Sequence, residues 1–168
     1  MARHHAWANA GLIAFCANLD DEAQNTPIPG TYGSIVETLR HLIDAEMSYL
    51  FRLTGAWPER PWQDGEPVGF DVLAERAARM ADAFFAYLAT AIDIERRSEA
   101  RSDKGEVFSV PTGVFTTQIF HHANLHRGHV GIQLGALGIE APDFSAWDYA
   151  IETGRSTLDR IEIPANQK

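Results

Sequence analysis

His122 and His126 stand four positions apart and His129 follows three later, in a stretch from Gln118 to Gln133 that holds four of the seven histidines. On a helix, at about 100° per residue with His122 at zero, His126 falls near +40° and His129 near −20°. Three imidazoles thus share one arc. Gln118 and Gln133, at about −40° and +20°, extend that arc into a polar seam roughly four turns long. Ile119, Leu125, Val130, Ile132 and Leu137 are expected to flank the seam, so its polar groups point inward, where they must be paired or bound. The His-x-x-x-His spacing lets two imidazoles reach a single divalent ion. A third ligand has to come from elsewhere, and the candidates are His41, His129, Asp44 and Glu46. The alternative is a set of hydrogen-bonded histidines in a wet cleft.

The elements that must position these residues read as helices. Residues 5–19 carry Leu12, Ile13, Cys16 and Leu19 at helical spacing, and the cluster of Pro27, Pro29 and Gly30 follows their end. A second helix opens on the capping box Ser34-Ile35-Val36-Glu37 and stops at Gly55. Its core stripe is Leu39, Ile43, Leu50 and Leu53, which leaves His41 on the other side, among Thr38, Asp44, Ala45, Ser48 and Arg52. Periodicity therefore makes His41 a polar-face residue, either solvated or a ligand in an open cleft. Residues 55–69, with Pro58, Pro61, Pro67, Trp57 and Trp62, form a surface loop with aromatic anchors. A third helix spans 71–91 with Val72, Leu73, Met80, Phe84, Tyr87 and Leu88 on its core face. Residues 106–110 alternate behind the turn Asp103-Lys104-Gly105, as a short extended segment or small hairpin would. The histidine helix follows Pro111 and runs to about Gly138, and a short helix opens at Ser145 and ends near Gly154. Gly128, Gly131 and Gly135 lie on the histidine helix opposite the imidazoles, at roughly 1 kcal/mol of helix propensity each. That cost predicts a close backbone contact there, with a neighbouring helix or a second subunit.

At 168 residues the chain is long enough for one domain with a proper core, expected over 1–155, with 156–168 a loosely ordered tail. The balance of 14 Lys+Arg against 23 Asp+Glu gives a net charge of −9 with no basic cluster, which excludes the cationic patch that nucleic-acid binding needs. No apolar run reaches a membrane span and Met1-Ala2-Arg3-His4-His5 is not the start of a signal peptide, so a cytoplasmic protein is expected. The single Cys16 sits among Leu12, Ile13 and Phe15 and reads as a packed core thiol. If the initiator Met is removed, His4 becomes third in the chain, a position able to chelate Cu(II) in a square plane.

Trp7-Ala8-Asn9, Gly33 to Leu42, Glu46, Arg52-Leu53-Thr54-Gly55 and His122-Ala123-Asn124-Leu125-His126-Arg127-Gly128 together, in order and spacing, resemble the DinB/YfiT-like family of metalloenzymes. The resemblance covers nearly the whole chain, through Ala141-Pro142-Asp143 to Gly154. It implies an all-α four-helix bundle with a short additional C-terminal helix, and a metal triad of one His from the second helix with the His-x-x-x-His of the last. Those positions are His41, His122 and His126. The sequence departs from the family where His129 stands in place of a Gln after Arg-Gly, and where Ser48-Tyr49 replaces a frequent tryptophan. Sharing the arc of the ligands, His129 is expected beside the ion, orienting water rather than ligating; Asp44 is expected beside it or in solvent. Glu46, about 140° from His41, is poorly placed to share its ion.

Three neutral ligands leave positions open, the pattern of a catalytic site on a Zn²⁺, Ni²⁺ or other first-row divalent ion. The family resemblance implies a low-molecular-weight thiol as cosubstrate, attacking an electrophile as its thiolate and joined to it through sulfur. Metal-dependent hydrolysis of an amide or ester is the alternative enzyme, and a metal- or ligand-binding bundle without turnover is the alternative from another class. The expected partners are a small-molecule substrate and a second copy of the chain, met through Trp57, Trp62 or the glycine face. The family's name implies a stress-response setting, through regulated expression.

Overall fold

Ser34 starts the helix that carries His41, and it does so by the expected device. Its Oγ accepts from the Glu37 N–H, while the Glu37 carboxylate accepts from the Ser34 N–H at 2.8 Å, so two orphan donors of the first turn are satisfied reciprocally. Gly33, just before it, has φ +71°, and a Cβ there would collide with that same carboxylate. Gly55, at φ 77°, ends the helix in the left-handed conformation that glycine takes without penalty.

The computed structural model describes residues 1–57, 62–63, 66, 68–101 and 104–156. These form α1 (Ala2–Cys16), α2 (Asp21–Asn25), α3 (Ile35–Thr54), α4 (Phe70–Leu88), β1 (Arg97–Arg101), β2 (Val107–Pro111), α5 (Thr112–Ala136) and α6 (Ala146–Glu152). Among the described residues the fold is all-α apart from one antiparallel hairpin, in which Arg97 pairs with Pro111 and Arg101 with Val107. Pro58, Pro61, Pro67, Asp103 and most of the expected tail, 157–168, lie outside the described residues.

Four helices make the bundle. α3 packs against both α4 and α5, α1 packs against α4, and α1 meets α5 more sparsely. Leu39, Ile43, Leu50 and Leu53 of α3 are buried as their spacing predicts, each side chain of this kind contributing about 1.5–3 kcal/mol on leaving water. Cys16 is fully buried among them, and burial pushes its thiol up to about 12, so it packs and does not react. On α4, Leu73, Met80 and Phe84 are buried, while Leu88 at the frayed end is exposed.

Two features depart from the sequence reading. α2 occupies part of what reads as a connection, capped by Asp20, whose side chain accepts from the Ala23 N–H at 2.8 Å. The small hairpin that the alternation at 106–110 allowed is formed, with β1 as its first strand. α1 begins at Ala2, and the His4 Nε2 lies 2.8 Å from the Phe144 carbonyl, so square-planar chelation of copper through the first three backbone nitrogens would require the helix to unwind. No helix among the described residues is long and apolar enough to cross a membrane.

The start of α5 has no side-chain cap. Instead the Thr112 and Gly113 N–H groups donate to the carbonyls of Arg96 and Ile94, at 2.8 and 2.9 Å, and the Thr112 hydroxyl donates to Asp93. The hairpin limb in turn supports the end of α3. Arg96 and Ser98 donate side-chain hydrogen bonds to the Leu53 and Arg52 carbonyls. The helices that carry His41 and the histidine arc are thereby tied together at one end.

Candidate metal centre

α5 turns its histidine arc toward α3, but the buried centre of the helix lies some 70° beyond His122, on the side of Ile119, Ala123, Val130 and Leu134. His126 is therefore buried at 5% exposure, while His122 and His129 sit at the edge of the buried face. Leu125 and Ile132, expected to flank the seam, are 49% and 57% exposed on the outer side. They stand about 60° and 80° from His122 on the side away from that centre, roughly 130–150° from it, too far round for the packing of α3 to cover them.

α3 brings its polar face to this arc. His41 Nε2 lies 3.2 Å from His122 Nε2, and ring nitrogens of His41, His122 and His126 all fall within 4.8 Å of one another. Asp44 and Glu46 stand outside that group, as does His129, whose ring packs edge-on against His126 at 5.1 Å. Burial holds the His122 and His126 imidazoles down to about 4, with the neighbouring histidines adding to the effect. Burial lowers His41 as well, against an opposing pull from Asp44. All three rings are neutral near pH 7 and carry lone pairs able to bind a cation. Among the described residues the buried Nδ1 atoms of His122, His126 and His129 have no hydrogen-bond partner, an unsatisfied state that buried polar nitrogens seldom keep.

Those observations fit a divalent ion. Zinc–nitrogen bonds of 2.0–2.1 Å at tetrahedral angles set neighbouring ligand nitrogens about 3.3 Å apart, close to the His41–His122 separation. The donor set of three imidazoles suits Zn²⁺, Ni²⁺ and similar ions alike.

Glu46 has a different occupation. Its carboxylate is buried between α1 and α3, accepts from Asn9 Nδ2 at 2.9 Å and lies 3.1 Å from His5 Nε2. Asn9 Oδ1 accepts from Arg127 Nη1 at 2.7 Å. His5, Asn9, Glu46 and Arg127 are thus one polar network joining three helices behind the histidines. Burial lowers the Arg127 guanidinium from its usual range and the Glu46 charge opposes the shift.

Two aromatic residues that periodicity did not single out touch the triad. Tyr32 stacks on His41 with ring centroids 4.0 Å apart and meets His126 edge-on. Tyr49 meets His122 edge-on at 5.7 Å. The signal available for Tyr32 was its place in Thr31-Tyr32-Gly33, directly before the capping box. Beside His41 opens a cleft of about 460 Å³ lined by Thr31, Tyr32, Gly33, Glu37, Arg40 and Asp44. Thr38 and Gln133 read from sequence as polar groups bordering such a cleft, yet both are fully buried. Gln133 Nε2 donates to Thr31 Oγ1, Gly33 O and Thr38 Oγ1 at 2.9–3.0 Å, and so holds the 31–33 loop instead.

No curated protein matches the chain. The family model described as "DinB family" matches residues 1–158, which spans every element above, and the chain belongs to the DinB family.

Proposed function

We propose that this protein is a divalent-metal-dependent enzyme that takes a low-molecular-weight thiol as cosubstrate and transfers the whole thiol, bonded through its sulfur, to an electrophile. The observation that carries the reading is the meeting of three imidazoles, one of which, His41, lines an open cleft. His41, His122 and His126 would hold the ion. An ion so held supplies Lewis acidity, which at neutral pH favours the thiolate of a thiol that reaches it.

The chain's own residues support a thiol brought from outside. Its single thiol, Cys16, is sealed in the core and held protonated, so the protein offers no sulfur nucleophile of its own. The cleft beside His41 has the volume for a small molecule, and Tyr32 supplies an apolar wall against it. His129, buried at Nδ1 and packed on His126, would orient water or substrate beside the ion rather than bind it.

Asp44 favours a second reading. It shares the cleft wall with His41, and burial raises its carboxyl above the ordinary range, toward the value a general base for water would use, so ester or amide hydrolysis is the alternative. A screen of metal-loaded protein with glutathione, mycothiol and bacillithiol against a general electrophile, beside ester and amide substrates, separates the two. Thiol consumption that disappears in His122→Ala supports transfer; ester cleavage without thiol, lost in Asp44→Asn, supports hydrolysis. Metal binding with silence in every arm would make this a binding protein without turnover.

The assembly we infer is a homodimer through the outer face of α5, in a cytoplasmic stress-response setting. Arg127 is the one Asp, Glu, Lys or Arg on that 25-residue helix, and it is turned inward. Val114, Leu125 and Ile132 are about half exposed there, and a Cβ added at Gly128, Gly131 or Gly135 would meet nothing within 4 Å. The close contact those glycines predict is thus absent among the described residues. An uncharged face on a molecule of net charge −9 lets two copies approach without repulsion. Trp62 is a weaker candidate, because Arg76 stacks over its ring at 4.0 Å, and Trp57 lies flat on Phe51.

A further inference from the structure

His41 lies on the side of α3 away from the core stripe, and the only hydrogen-bond partner of its ring among the described residues is His122. An imidazole ligand is ordinarily aimed by a hydrogen bond on its second nitrogen. Here the contact that fixes the ring plane is aromatic: Tyr32 lies on its face, centroids 4.0 Å apart and planes 18° from parallel. The same phenol ring meets His126 edge-on, at 5.5 Å and 90°. One side chain therefore covers two of the three candidate ligands.

Tyr32 is itself held from both helices that carry those ligands. Its carbonyl accepts from the Thr38 hydroxyl of α3 at 2.8 Å. Its neighbours Thr31 and Gly33 accept from Gln133 of α5, and Gln133 is fully buried. The ring nevertheless stays 45% exposed at the mouth of the cleft, so it is not a core residue whose loss would open the fold.

We propose that Tyr32 is a positioning residue of the metal centre, setting the plane of His41 through its aromatic face and not through its hydroxyl. The inference rests on the reading of His41, His122 and His126 as metal ligands. Co²⁺ titration of metal-free protein, followed by visible ligand-field absorption and by competition with a chromophoric chelator, tests it on wild type, Tyr32→Phe, Tyr32→Leu and Tyr32→Ala. Tyr32→Phe should bind as wild type does, with the same spectrum. Tyr32→Leu and Tyr32→Ala should bind roughly 10–100-fold more weakly with an altered spectrum, the range typical of a lost supporting residue, while the metal-free melting midpoint holds. Wild-type affinity and spectrum in Tyr32→Ala would overturn the inference alone. So would an equal loss in Tyr32→Phe, or a melting midpoint that falls in step with affinity. A wild-type protein that binds no Co²⁺ would overturn the reading of the triad and this inference with it.

Discussion

His41 and His122, 81 positions apart, face each other Nε2 to Nε2 at 3.2 Å across the α3–α5 contact. Two neutral imidazoles held so close gain only one modest hydrogen bond, and both are shifted by burial toward the form that donates a lone pair. A shared cation accounts for the arrangement better. His41→Ala is expected to lower metal affinity by more than the roughly 10–100-fold that follows loss of a residue merely supporting a ligand. Chelator competition checks this, with Asp44→Ala as the comparison that should change affinity less.

The depressed imidazoles predict how the metal-free protein responds to acid. His122 and His126 bind protons near 6.5 when unfolded and near 4 when folded, so between those values the unfolded chain holds more protons. Their contribution to stability is complete above about 6.5 and is lost as pH falls toward about 4. Thermal melts of metal-free wild type from neutral pH downward should fall more steeply across that window than melts of the His122→Ala/His126→Ala double variant. Parallel curves would contradict the assignment of neutral, buried imidazoles.

Glu46 predicts a stability effect separate from the metal. Glu46→Ala strips the carboxylate from Asn9 and His5 and leaves the buried Asn9 amide without its acceptor, a change expected to cost about 1–3 kcal/mol in urea unfolding. Glu46→Gln keeps an acceptor for the Asn9 amide and should cost much less. Equal losses would mean that charge rather than hydrogen bonding dominates the network.

The outer face of α5 predicts association. Wild type is expected to scatter light as a dimer at roughly tens of micromolar, the ordinary range for such contacts, and Leu125→Glu or Ile132→Glu should return it to monomer with its helical signal unchanged. A monomeric wild type would refute this interface.

Much of the frame was legible in the sequence because it is locally encoded. The Ser34–Glu37 box, the Gly55 stop and the shared arc of His122, His126 and His129 depend on residues within a turn or two of each other. What was illegible depends on the neighbouring helix. Periodicity describes α3 alone and leaves His41 at the surface; only the packing of α3 on α5 places that polar face against the seam. Gln133 and Thr38 likewise look like free polar groups until the fold brings them 3.0 Å apart across 95 positions. Leu125 and Ile132 were assigned to the core by residue type, whereas the arc that α3 covers is centred elsewhere. α2 escaped because five residues are too few to show a period, and Tyr32 because a loop has none.

Metal content is the most direct measure of the central claim. Protein purified without an affinity tag, analysed for first-row elements beside His41→Ala, His122→Ala and His126→Ala, should contain close to one divalent ion per chain in wild type and little in each variant. Variants that keep the full wild-type content, with melting curves showing them folded, would contradict the account.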